Sequence, residues 1–287
     1  MDLFYEDLGD PAHPPVLLIM GVGAQLPMWP DGFCARLVEQ GYRVIRYDHR
    51  DIGLSSKMTG QARGPAALRI GRYLLGRASD VPYTLVDMAD DAKGLLDHLG
   101  IDRAHVVGAS MGGMIAQVLA GKNPDRVASL ALVMTSSNKA LSAVPRWRIL
   151  KMAFDPPERH EKWEDRVAHE VRNISVINGP NFLPPEDQLR GRVEHLRSRS
   201  DYPEGGLRQF DAILGTGSLL RYTRLIAAPT VVVHGSHDPM MRPRNGRSLA
   251  RVIEDAEFVV IDGMGHDLPG PVWRPMVDTL AENFQRA

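Results

Sequence analysis

The sequence predicts an α/β protein with a mostly parallel central sheet, helices on both faces and one helical insertion. Short apolar runs at 16–20, 43–47, 104–107 and 129–134 alternate with longer stretches of helical periodicity at 31–40, 85–99 and 111–122. The runs are apolar at successive positions, as strands covered on both faces require, so the repeating unit is a strand followed by a crossover helix. The alternation stops near Ser136 and resumes with a strand over 230–234, a helix over 243–253, a strand over 257–261 and a closing helix over 272–285.

The interval between Ser136 and Ala227 has a different character. Strand-like runs vanish, Arg and Glu become dense, and Pro156-Pro157 and Pro184-Pro185 punctuate short helical stretches. The expected organisation is a core of residues 1–135 and 228–287 with a helical cap over 136–227. A second excursion, 57–82, mixes Arg63, Arg69, Arg72 and Arg77 with Leu68, Ile70, Leu74 and Leu75. Gly71 and Gly76 weaken a membrane-surface helix there, which favours a segment lying beside the site mouth.

Bulk composition narrows the function classes. The chain has 287 residues, 44% of them hydrophobic, enough for a substantial core. Its 34 basic residues balance 35 acidic ones, and a net charge of −1 provides no field to draw in nucleic acid or an anionic membrane. The first apolar run is too short to span a bilayer, and an acidic beginning, Asp2 to Asp7, is unlike a secretory signal, so a cytoplasmic protein without a membrane span is expected. The single cysteine, Cys34, reads as a small buried hydrophobe on a helix rather than as a nucleophile.

The chemistry is carried by Gly108-Ala109-Ser110-Met111-Gly112-Gly113, which joins a predicted strand to a predicted helix. A serine on so sharp a turn has its hydroxyl pushed out above the carboxyl edge of the sheet, where open α/β sheets bind ligands. A serine hydroxyl needs a base, and His266 lies in a glycine-flanked loop after the last strand, at the same edge. The base needs an acid, and Asp238 follows the strand at 230–234 directly; Asp267 is a rival, badly placed as the immediate neighbour of His266. The order Ser110, Asp238, His266 is the one expected for this kind of sheet. Backbone donors for an oxyanion are expected at Met111, first in the helix after the serine, and at Val22, in the loop Met20-Gly21-Val22-Gly23-Ala24.

Two other readings are weaker. Gly21-Val22-Gly23 after a strand, with Asp48 ending the next, suggests a dinucleotide site, but Leu26 replaces the third glycine and Pro27 and Pro30 obstruct the helix that would receive a pyrophosphate. His234, His237 and Asp238 match no zinc spacing, so neither a metal nor any other cofactor is expected.

The chain resembles the α/β-hydrolase superfamily, and within it bacterial esterases of the aclacinomycin methylesterase type and, more loosely, enol-lactone hydrolases. The likeness rests on Met20-Gly21, on the segment Tyr47-Asp48-His49-Arg50-Asp51-Ile52-Gly53-Leu54-Ser55, on the Ser110 turn, on His237-Asp238-Pro239 and on Gly263-Met264-Gly265-His266. It implies an α/β-hydrolase fold, a triad of Ser110, Asp238 and His266, and oxyanion donors at Val22 and Met111. Many members carry glycine where this chain has Asp51. Dehalogenases and epoxide hydrolases of this fold use an aspartate where Ser110 stands.

The expected activity is hydrolysis of carboxylic esters of small hydrophobic molecules through an acyl-enzyme. A lactonase, a carbon–carbon bond hydrolase, a cofactor-free perhydrolase or a non-catalytic ligand receptor on the same residues are the alternatives. Met28, Trp29, Met240, Met241 and Met264, placed along the loops around the triad, are the expected lining of an apolar pocket. Trp147, Phe154, Trp163, Phe182 and Phe210 of the cap are expected to roof it.

Overall fold

The computed structural model describes residues 1–140, 162–179 and 181–287. Its centre is a seven-stranded sheet in the order β1-β3-β2-β4-β5-β6-β7: β1 (Tyr5–Leu8), β2 (Pro15–Ile19), β3 (Arg43–Tyr47), β4 (Ala104–Ala109), β5 (Val127–Val133), β6 (Thr230–Gly235) and β7 (Glu257–Ile261). All neighbours are parallel except β1, which pairs antiparallel with β3 in the register Tyr5 with Tyr47 to Leu8 with Val44. β1 is absent from the pattern expected from sequence. It is a short edge strand, only partly covered, with two acidic residues among four, so it lacks the apolar run that reveals the buried strands.

Helices follow the strands as the crossover rule requires: α1 (Asp31–Glu39), α2 (Ala66–Leu74), α3 (Leu85–His98), α4 (Met111–Lys122), then α5 (Trp163–Asn178), α6 (Glu186–Arg199), α7 (Pro203–Thr216) and α8 (Leu220–Thr223) between β5 and β6, and finally α9 (Pro243–Ala250) and α10 (Gly270–Phe284). Side-chain alternation along the strands feeds two cores. Leu17 and Ile19 of β2 with Leu130 and Leu132 of β5 pack under α3, α4 and α9, while Val16, Leu18, Ala131 and Val133 pack on the other face against α1 and α10. Thr84 starts α3 with a reciprocal capping box, its hydroxyl accepting from the Asp87 amide while the Asp87 carboxylate accepts from the Thr84 amide.

The chain leaves β2 toward β3 on one side and later toward β4 on the other. This reversal leaves a crevice at the carboxyl ends of β2 and β4, so the loop after β2 and the turn after β4 face each other there.

The excursion at 57–82 forms α2, which packs on α7 of the insertion. Arg69 pairs with Asp211 at 2.8 Å and the Tyr73 hydroxyl donates to Asn138 at 3.0 Å, which accounts for its polar face. No helix among the described residues is long and apolar enough to cross a membrane.

Cys34 lies on α1 inside the core, and burial pushes its thiol up to about 12 although Arg46 stands beside it. Native protein is therefore expected to leave Ellman's reagent unreacted, and denaturant to release one equivalent of thiol. Rapid reaction of the folded protein would contradict the burial.

Candidate active site

Ser110 occupies the turn between β4 and α4 with φ 55° and ψ −119°, outside the ordinary regions for a residue bearing a Cβ. Two glycines allow the turn to close. A Cβ on Gly108 would collide with the carbonyl of Gly112, and one on Gly112 with the carbonyl oxygens of Ile19 and Met20. The turn is tied to β5, since the Ser110 amide donates to the Val133 carbonyl at 2.9 Å and the Thr135 hydroxyl donates to the Ser110 carbonyl at 2.6 Å. Across the crevice Gly21 approaches so closely that a Cβ there would sit 3.2 Å from that of Ser110.

The three residues singled out at the sheet edge meet in one hydrogen-bonded chain. His266 Nε2 lies 3.0 Å from Ser110 Oγ, and His266 Nδ1 lies 2.7 Å from Asp238 Oδ2. The other oxygen of Asp238 accepts from the amides of Met240 and Met241, each at 2.8 Å, so the carboxylate is oriented by its own loop. Asp238 and His266 are buried, and the loop bearing His266 is held from the insertion: the His266 amide donates to the Ile177 carbonyl at 2.6 Å and the Gly265 amide to the Asn178 carbonyl at 3.1 Å. With Nδ1 donating to Asp238, Nε2 is the nitrogen free to accept a proton from the serine.

Asp267, the rival acid, is committed elsewhere. Its carboxylate accepts from Asn178 and Arg192 of the insertion, each at 2.9 Å. His234 stands 3.9 Å from Asp238, but burial lowers its pKa and its Nε2 donates to the Met241 carbonyl at 2.9 Å, so a neutral ring faces the acid. His237 is exposed and bonded to Ser236, turned away from any shared site with His234.

Met111 is the first residue of α4, so its amide has no intrahelical acceptor. Among the described residues neither this amide nor that of Val22 is engaged in a hydrogen bond, whereas the Gly23 amide donates to the Gln209 side chain at 2.8 Å. The dinucleotide reading of the same loop fails on burial. Asp48 is enclosed and accepts from the amides of Leu26 and Leu54 and from Arg199, so it has no access to a ribose, and Leu26 opens a short 3-10 turn rather than a helix.

The expected pocket lining needs correction. Trp29 is buried in the core, stacked on Phe33 with ring centroids 5.5 Å apart, and Met264 is likewise buried beneath the loop. Position in a loop near the triad did not distinguish a side chain turned inward from one turned to the crevice. Met240 and Met241 are half-buried and act through their amides, Met241 also packing on the core. Met28 lines a cavity of about 390 Å³ together with Val22, Ile52 and Ile174 and with the charged Glu170, Arg197 and Asp201; Ser110, Asp238 and His266 are not among its lining residues. Of the proposed roof, Trp147 and Phe154 lie outside the described residues, Trp163 and Phe210 are exposed, and Phe182 packs on the core.

Residues 14–269 match the family described as alpha/beta hydrolase fold. The chain belongs to the α/β-hydrolase fold family. Within that family it is 30% identical to rhodomycin D methylesterase DnrP of Streptomyces peucetius, over 99% of this chain and 95% of that protein. It is 28% identical to a 2-hydroxy-6-oxononadienedioate/2-hydroxy-6-oxononatrienedioate hydrolase of Pseudomonas putida, over 93% of this chain and 85% of that one. Among solved structures, the enol-lactonase of Burkholderia xenovorans LB400 superposes with a TM-score of 0.73 at 23% identity, covering 99% and 96% of the two chains. The resemblance read from the motifs therefore runs along nearly the whole hydrolase chain.

Gly112→Ala is expected to destabilise the protein by more than the about 1–3 kcal/mol of ordinary overpacking, because the obstacle is backbone. Gly94→Ala, on an open face of α3, is the control and should stabilise by up to about 1 kcal/mol. Urea denaturation of both variants reads the difference; equal midpoints would deny the close approach.

Proposed function

We propose that this α/β-hydrolase cleaves carboxylic esters through an acyl-enzyme on Ser110, with His266 as the base and Asp238 as its orienting acid. The observation that carries the reading is the hydrogen-bonded chain from Asp238 through His266 to Ser110, at 2.7 and 3.0 Å, on a turn that exposes the serine to the crevice. As Ser110 Oγ attacks the ester carbonyl, His266 Nε2 takes its proton and the imidazolium is stabilised by Asp238. The amides of Val22 and Met111 meet the negative charge that develops on the carbonyl oxygen, Met111 with the added field of the α4 N-terminus. Collapse of the tetrahedral intermediate expels the alcohol, which leaves with the proton from His266. Water then attacks the acyl group by the same route, returning Ser110 to its free form.

An ester is favoured as the substrate class by the full-length likeness to a methylesterase. In this reading residues 136–227 cap the site. Uncharged, apolar esters are the proposed substrates: Met28, Ile52 and Ile174 line the cavity beside Val22, and the charged residues that share it, Glu170, Arg197 and Asp201, are matched to one another, Arg197 pairing with each carboxylate at 2.7 Å.

A fluorophosphonate probe is expected to label Ser110, with labelling abolished in Ser110→Ala and detected by mass of the modified peptide. Label retained by that variant would remove the serine from the mechanism. Asp238→Asn should lower turnover by on the order of 10⁴ while circular dichroism stays native, because the histidine then adopts the wrong tautomer. If Asp267→Asn is the more damaging change, the acid is misassigned.

A further inference from the structure

Two side chains from outside the loop that carries Val22 bond to its backbone, and one of them belongs to the insertion. On the near side, His49 Nε2 donates to the Met20 carbonyl at 2.9 Å. Burial keeps the pKa of His49 low, consistent with a neutral ring carrying its proton on Nε2. On the far side, Gln209 of α7 accepts from the Gly23 amide with Oε1 at 2.8 Å and donates from Nε2 to the Arg50 carbonyl at 3.0 Å. Gln209 is fully buried, and the reverse orientation of its amide would set N–H against N–H and oxygen against oxygen, so its partners fix which way it points.

These bonds act on two peptide planes that flank a third. His49 fixes the plane joining Met20 to Gly21, and Gln209 fixes the plane joining Val22 to Gly23. The plane between them carries the Val22 amide. Anchoring both neighbours limits where the ends of the middle plane lie, and its turn about the line joining them is set by its own carbonyl, Gly21 O, which accepts from the Ala24 amide at 3.4 Å. Free the far anchor, and Gly23, at φ 68°, can carry the Ala24 amide away from the Gly21 carbonyl, so that the plane rotates at Gly21 and aims its N–H away from Ser110.

The local sequence of α7 is arranged to deliver this side chain. Gly205 and Gly206 lie in its first turn, a costly choice for helix interior. A Cβ on Gly205 would collide with the Asp51 carbonyl oxygen, so the helix can approach that loop only without a side chain there, while a Cβ on Gly206 would meet Gly23 at an ordinary 3.7 Å. Beside Gln209, Arg208 grips the carboxylate of Asp51 with two bonds of 3.0 Å.

We propose that Gln209 is a positioning residue for the oxyanion hole, holding the Val22 amide toward the reacting carbonyl from within the insertion. This rests on the assignment of Val22 as an oxyanion donor. Gln209→Met keeps the shape and loses both bonds, whereas Gln209→Glu keeps an acceptor for the Gly23 amide and loses the donor to Arg50. On a methyl ester, Gln209→Met should lower kcat and kcat/KM together on the order of 10- to 100-fold, below the 10²–10³ typical of deleting a donor outright, and leave KM nearly unchanged. Affinity for a trifluoromethyl ketone, which forms the tetrahedral adduct, should fall by the same factor. Gln209→Glu should recover most of the activity even where its thermal midpoint is the lower of the two.

The role is overturned if activity in the two variants follows their thermal midpoints, if Glu is as impaired as Met, or if KM changes instead of kcat. Ser110→Ala, assayed beside them, separates the two conclusions. Turnover surviving there removes the nucleophile and this inference with it, whereas full activity of Gln209→Met over an inactive Ser110→Ala removes only the positioning role.

Discussion

Everything at the sheet edge depends on backbone lying against backbone beneath Ser110. The left-handed turn, the missing side chains at Gly108 and Gly112 and the contact of Gly21 with the serine put the ends of β2 and β4 closer than side chains would allow. Strain at Ser110 is offset by its bonds to Val133 and from Thr135, both from or just beyond β5. Three adjacent parallel strands thus converge on one residue, and the crevice at the reversal of strand order becomes a place where a hydroxyl is presented rather than hidden.

The segment after β3 acts as the junction between this edge and the rest of the molecule. Asp48 ties the 3-10 turn and α6, His49 holds Met20, Arg50 grips Asp91 of α3 with two bonds of 2.6 Å, and Asp51 meets Arg208 of α7. Four consecutive residues serve four different elements. Asp51 stands at φ 73°, a conformation that favours glycine, and the paired guanidinium of Arg208 gives a physical reason for a charged residue there.

The strands of the sheet could be read from sequence because each was an apolar run broken by turn chemistry, and Ser110, Asp238 and His266 because each followed such a run. β1 could not, since a four-residue edge strand with Glu6 and Asp7 has no buried face to betray it. The fates of Trp29 and Met264 were equally illegible, because sequence gives the position of a loop but not the direction of a side chain within it. The density of Arg and Glu in 163–223 reads as a solvated surface, yet Arg192, Arg199 and Arg208 each end on a buried carboxylate of the core. One signal for Gln209 was present: paired glycines inside a helix are costly unless something must come close.

The insertion is sewn to both sides of the crevice. α5 holds the backbone of Gly265 and His266, α6 holds Asp267 and Asp48, and α7 holds Gly23 and Asp51. Helices bonded in this way are not an interchangeable module. A chimaera given the insertion of a relative would inherit new walls but lose the struts that orient two of its loops, so altered specificity and damaged chemistry would arrive together. Neither could these helices swing away as one rigid door to admit a substrate without dismantling the machinery beneath. On the proposed reading of a capped site, a substrate would enter by local parting of side chains along the seam, with the struts left in place.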